Sequence, residues 1–451
     1  MTAFPPMALV AAARQAAVVS ELTELTKPTG TQDAIRPASG LSTLQGTALY
    51  VGAVLGTGVI ALPALAAQLA GPASLLAWCA LVLLSVPLAA TFAALAARHP
   101  DAGGVSTYAR LAFGERTAVV VGWCFFFTVP TGAAPAALFA GQYVEAALGG
   151  GTATATITAA ALMAVVTATN AAGLRVTGRV QLALAGLLAL LLLLAVALAL
   201  PHAHWSNLTP FAPHGWFSLA PAAALLVWSF AGWEAITHLA AEFRRPARDL
   251  PRATAAALAV VGLLYLAVAF AVVTVLGPNA ADSAAPLGDL MARGLGGNAR
   301  LLAAGAALLL TLGTMNAYYA GVAKLGAALG RDGALPEWLA RGSTVGEVPR
   351  RSLTFVSALT IPGLIATAAF HVQTRTLVSL TAGLIVVVYA IGVVAALRLL
   401  PRRSKGRAAA VSALAAVALI LAATGVYLVW AAVVSLAALL YARFTRAGRR
   451  S

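Results

Sequence analysis

Twelve apolar runs divide the chain, at roughly 44–70, 73–97, 117–148, 152–171, 180–200, 219–241, 253–276, 299–329, 353–371, 375–400, 408–423 and 426–443. A bilayer core about 30 Å thick is crossed by about 20 apolar residues in a helix, and lipid accepts only helices and closed barrels because every backbone polar group needs a partner. Runs of this length joined by short loops predict an all-α, polytopic membrane protein with twelve transmembrane helices. The split between the last two runs rests on the turn signal Thr424-Gly425. Of the 451 residues, 61% are hydrophobic and 10% charged, against about 25% charged in ordinary soluble domains. That balance excludes a large soluble domain.

Charge placement sets the orientation. The formal net charge of +15 would suggest nucleic acid in a soluble protein. With the N-terminus inside, however, 26 of the 29 Lys and Arg fall in cytoplasmic segments, and only Arg293, Arg300 and Arg375 fall outside. This is the positive-inside pattern, so the basicity reports topology and no nucleic-acid partner is expected. An even number of spans then puts both termini in the cytoplasm, in a multi-pass protein of the cytoplasmic membrane with the lipid bilayer as its solvent. Residues 1–43 read as a cytoplasmic N-terminal tail, lacking the order of basic start, apolar stretch and cleavage site of a signal peptide; residues 444–451 form a basic cytoplasmic tail. The two cysteines, Cys79 and Cys124, give neither a disulfide framework nor a metal-ligand pair. No nucleotide motif or nucleophile–base constellation is present; no enzyme activity, cofactor or metal is expected.

Two runs carry interruptions. In the first, Gly56-Thr57-Gly58 places glycines near mid-membrane, where each weakens a helix by about 1 kcal/mol; the alternative is a packing face, since Gly52 and Gly56 form a small-xxx-small pair. In the sixth, Trp228-Ser229-Phe230-Ala231-Gly232-Trp233-Glu234 holds a carboxyl at membrane depth. Such a group marks a cavity or a partner, the alternative being a neutral carboxyl bonded to a neighbouring helix. Runs one and six are five spans apart, an odd number, so two groups of five helices would enter the membrane from opposite sides. Matching broken helices in two halves point to the central site of a secondary transporter.

With these features the chain resembles the amino acid-polyamine-organocation (APC) superfamily of permeases over roughly 44–400. The matching pieces are Gly56-Thr57-Gly58-Val59, Pro100-Asp101-Ala102-Gly103-Gly104 with Tyr108 and Phe113-Gly114, Asn170 with Gly173, Phe230-Ala231-Gly232-Trp233-Glu234, Glu242-Phe243-Arg244-Arg245-Pro246 with Asp249-Leu250-Pro251-Arg252, and Arg331-Asp332-Gly333-Ala334-Leu335-Pro336. Within it, Gly232 through Phe243 is similar to bacterial neutral amino acid permeases that include methionine and branched-chain exporters. The resemblance implies a LeuT-like five-plus-five inverted repeat, with halves at about 44–200 and 219–400, two trailing helices in 408–443, and substrate held between spans one and six.

An amino acid brings a carboxylate and an ammonium into a nearly dry cavity. The half-helix starting near Thr57, Gly58 and Val59 would offer its amides and positive dipole end to the carboxylate, with Gly56 and Gly58 admitting close backbone approach. The resemblance implies that the ammonium meets carbonyls around Val54 and of Phe230 and Ala231, next to Gly232. Side-chain selection is expected from Trp228, Phe230 and Trp233, from Phe126 to Thr131, and from Thr314-Met315-Asn316. The span-three and span-eight segments carry no charge, which favours neutral substrates because a charged substrate side chain would stay unpaired.

Several proton-coupled relatives carry a lysine in span five, but 181–200 contains no charged residue. Glu234 and His238, four apart and on one face if helical, are therefore the candidate proton carriers, His238 being alternatively a structural histidine. The function expected is proton-coupled transport of neutral, apolar amino acids in the export direction; import or exchange is the alternative, and a transporter-like sensor or channel a different class. The oligomeric state is left open.

Overall fold

The computed structural model describes residues 42–99, 104–173, 178–234, 243–296, 299–342 and 347–448. Its main helices are α1 (Thr43–Val54), α2 (Gly58–Ala70), α3 (Ser74–Arg98), α4 (Val105–Phe113), α5 (Glu115–Leu148), α6 (Gly151–Ala171), α7 (Gly178–Ala199), α8 (Leu219–Leu226), α9 (Pro246–Ala271), α10 (Pro286–Leu295), α11 (Ala299–Arg331), α12 (Arg350–Phe370), α13 (Thr374–Leu399), α14 (Lys405–Thr424) and α15 (Leu428–Gly448). No strand occurs among the described residues.

Eight helical stretches among the described residues are long and apolar enough to cross a membrane. Two of them, Gly58–Arg98 and Lys405–Thr445, run for 41 residues, which as one straight helix would be about 60 Å long, twice the bilayer core. Each is divided by a short 3-10 turn that opens on a glycine in the left-handed region, Gly71 at φ 59° and Gly425 at φ 55°. Glycine is required there because a Cβ disfavours positive φ. The segments Gly186–His202 and Trp216–Phe230 are shorter apolar helices.

The long α5 is the centre of the packing, touching α4, α6, α11, α12, α13 and α15. Small residues make this possible: a Cβ on Gly141 would come within 3.0 Å of Ala155 Cα in α6. Between helices in lipid, close van der Waals packing of such residues replaces the hydrophobic drive of a soluble core. Outward-facing Leu83, Ile157, Leu190, Leu263, Leu419 and Leu436 are exposed, as side chains in contact with acyl chains must be. The short helix α4 is bracketed by Gly104 (φ 54°) and Gly114 (φ 88°). Arg398 holds it by lying 4.4 Å from the centroid of the Phe113 ring and donating to Ala112 O at 3.1 Å.

Candidate functional site

The first apolar run is broken where its glycines lie. Leu55 N–H still closes a turn onto Val51 O at 2.7 Å, but Gly56 N–H folds back to Val54 O at 2.7 Å, and α2 starts at Gly58. Among the described residues no side chain caps α2, and Val59 N–H reaches Gly56 O only at 3.5 Å. The opening turn thus keeps weakly engaged amides and the positive end of the helix dipole. A Cβ on Gly58 would collide with Ser229 Oγ and lie 3.0 Å from Trp228 Cδ1, so glycine is needed for the two broken segments to approach. Ser229 Oγ is buried with no hydrogen-bond partner among the described residues.

The sixth apolar run breaks as sharply. From α8 the chain tightens into a 3-10 turn over Val227–Phe230, then extends at Ala231 (φ −67°, ψ 138°) and enters the left-handed region at Gly232 (φ 119°). A Cβ on Gly232 would lie 3.0 Å from Ala53 O, near the end of α1. Residues 231–234 form a turn, which corrects the expectation that Glu234 sits in mid-helix: Gly232 unwinds the chain two residues before it. His238 lies outside the described residues, so its expected place on a shared helix face with Glu234 does too.

Tyrosine hydroxyls join the breaks. Tyr265 Oη lies 2.8 Å from both Val54 O and Ser229 O. Tyr389 Oη lies 2.7 Å from Glu234 Oε2 and 3.1 Å from Phe230 O, while Gly232 N–H donates to the same Oε2 at 3.1 Å. Tyr50 Oη donates to Trp233 O at 2.7 Å. Two of the carbonyls expected to await an ammonium, those of Val54 and Phe230, therefore already adjoin a phenol. These tyrosines escaped the sequence reading, although a signal existed: tyrosine favours the membrane–water interface, and Tyr265 and Tyr389 stand deep inside their apolar runs. Glu234 is 9% exposed, with Tyr50 from α1, Tyr318 from α11 and Tyr389 from α13 all within electrostatic reach of it.

The side chains expected to form the selective wall divide into two groups. Trp228 stands between segments, near Gly58 of α2 and 3.0 Å from where a Cβ on Gly132 of α5 would be. Thr314 of α11 faces Gly56, and Thr381 of α13 donates to Thr131 at 2.9 Å. Phe230 instead packs its ring edge-on against Tyr265 at 5.3 Å, and Trp233 packs in the same way against Tyr50 at 5.3 Å. Phe126 is fully buried and stacks on Phe355. Asn316 spends its amide oxygen on Asn170 Nδ2 at 2.7 Å and on Thr169 Oγ1 at 3.1 Å, which ties α11 to α6.

Comparison with known proteins gives the family. Residues 41–447 match the family described as amino acid permease. The chain is 32% identical over 407 residues to the uncharacterized amino acid permease YecA of Bacillus subtilis (strain 168), covering 90% of this chain and 96% of that protein. It is 36% identical over 235 residues to the L-methionine/branched-chain amino acid exporter YjeH of Escherichia coli (strain K12), covering 50% and 54%. Over 262 residues it is 27% identical to the branched-chain amino acid permease BcaP of Bacillus subtilis (strain 168), covering 52% and 56%. The chain is a multi-pass membrane protein that belongs to the amino acid permease family of the APC superfamily.

Proposed function

We propose that the protein is a secondary active transporter that moves neutral, apolar amino acids across the cell membrane in exchange for protons, with export as its working direction and both termini cytoplasmic. The observation that carries this reading is the meeting of two broken segments, the uncapped start of α2 at Gly58 against the end of the 3-10 turn at Trp228-Ser229. One segment supplies amides for a carboxylate, and the other supplies carbonyls for an ammonium. Ser229 Oγ, unpartnered beside Gly58, adds a further donor at the carboxylate end.

In this proposal the twelve runs are twelve spans, with inverted repeats at about 44–200 and 219–400 and two trailing helices in 408–443. The breaks at corresponding places in the two halves support it. Trp228 contributes apolar surface to the wall, which favours side chains without charge. The names of YjeH and BcaP, an exporter and a permease for branched-chain amino acids, agree with that substrate class. Glu234 is the proton-binding group.

Counterflow in proteoliposomes tests the function. Internal methionine, leucine, isoleucine or valine should accelerate uptake of labelled substrate, and lysine, arginine, aspartate and glutamate should not; no acceleration by any amino acid would overturn the reading. Direction is read in cells. Overproduction should raise tolerance to toxic analogues of neutral amino acids, whereas greater intracellular accumulation driven by an inward proton gradient would establish import instead.

A further inference from the structure

Tyr389 Oη has two acceptors within hydrogen-bond distance and one proton to donate. Glu234 Oε2 is 2.7 Å away and Phe230 O is 3.1 Å away, and a phenol cannot donate to both at once. Which oxygen receives the proton follows from the state of the carboxyl. An ionised Glu234 is acceptor-only and draws the Tyr389 proton by a charge-assisted hydrogen bond. A proton on Oε2 reverses the 2.7 Å contact: the carboxylic acid now donates to Tyr389 Oη, and the phenol turns about its C–O bond to donate to Phe230 O. Tyr389 keeps its proton throughout, and the one proton gained sits on Glu234.

From this geometry we infer that Tyr389 is a positioning residue that turns the protonation of Glu234 into the presence or absence of a donor on the Phe230 carbonyl, making proton and substrate ammonium compete. The inference rests on the reading of Phe230 O as an ammonium acceptor and extends it by giving the coupling a sign. With Glu234 ionised, Phe230 O is relieved of the phenol and accepts the ammonium. With Glu234 protonated, the phenol donates to Phe230 O and competes with the ammonium for it, so substrate is held more weakly. Linkage is reciprocal, so arriving substrate expels the proton, which is the behaviour an exchanger of substrate for protons requires. Among the described residues, Tyr50 from α1 and Tyr318 from α11 also lie within electrostatic reach of the carboxyl; His238, four residues further along its own segment, is the one to separate by mutation.

The test is the pH profile of substrate binding to the purified full-length protein, with leucine or methionine as probe. In the wild type, and in His238→Gln, affinity should weaken by about tenfold from the alkaline to the acidic plateau, the factor expected for one hydrogen-bond donor shifted between acceptors. In Tyr389→Phe the profile should flatten to less than about twofold, with binding retained at acidic pH. A uniform loss of affinity with the pH dependence preserved would mean a purely structural role and would overturn the inference, as would a flat wild-type profile or a profile abolished by His238→Gln. A second measurement needs neither substrate nor a Tyr389 variant. Infrared difference spectra of wild-type protein carrying ring-labelled tyrosine should show, on acidification, a tyrosine C–O band rising with a carboxylic acid C=O band, both absent in Glu234→Gln. A carboxylic band without the tyrosine band refutes the switch even if no amino acid proves to be a substrate, and failure of counterflow alongside paired bands refutes only the transport reading.

Discussion

Tyr265 in α9 places its hydroxyl 2.8 Å from the carbonyl oxygen of Val54, the last residue of α1. The same hydroxyl lies 2.8 Å from Ser229 O, so a single side chain spans the breaks in both discontinuous segments. Breaking a helix strands backbone carbonyls, and in a bilayer water is not there to serve them; buried phenols do so here.

Tyr265→Phe should therefore destabilise the protein by about 1 kcal/mol, the usual scale of a buried hydrogen bond within a helix bundle. Thermal unfolding in detergent should show a lowered midpoint. An unchanged midpoint would mean that the two carbonyls find other donors.

Gly58→Val tests the carboxylate end. The added side chain would meet Ser229 Oγ and the Trp228 ring, and overpacking at such a contact costs about 1–3 kcal/mol. Binding of every neutral substrate should weaken by about tenfold or more, and by a similar factor, because the main-chain site reads the amino acid backbone and not its side chain. Unaltered binding in properly inserted protein removes Gly58 from the site.

Glu234→Gln keeps the shape and hydrogen-bonding capacity of the neutral acid and cannot titrate. Substrate exchange between equal pools should persist, while acceleration by an imposed pH gradient disappears. Should the variant still concentrate substrate in response to that gradient, the coupling group lies elsewhere, with His238 the next to replace.

Asn316→Ala separates structure from selectivity. Removing the amide leaves an N–H of Asn170 without the acceptor it now has at 2.7 Å, at a cost of about 1 kcal/mol. Stability should fall while the order of preference among neutral amino acids stays the same. A changed preference order would return Asn316 to the substrate wall.

The all-helical, membrane-embedded class was readable from the chain alone because the determining property is local. About 20 consecutive apolar residues meet the spanning requirement whatever their neighbours do, and outside the broken sixth run most of the described helices begin and end within a few residues of the apolar runs. The break in the first span was legible for the same reason, since Gly56 and Gly58 weaken the helix in place. The break in the sixth was visible at Gly232, but its consequence was not. Only the observed φ of 119° shows the chain unwinding before Glu234 and so removes that carboxyl from a helix interior. Tertiary structure alone decided the partners. Tyr265 is 211 residues from Val54 and Tyr389 is 155 from Glu234, and such meetings depend on how neighbouring helices cross and rotate, which no local pattern encodes. The same holds for the aromatic residues: Trp228, Phe230 and Trp233 are alike in sequence as large apolar side chains at a break, and only the packing of α1, α5 and α9 around them turns two inward against tyrosines and leaves Trp228 between the segments.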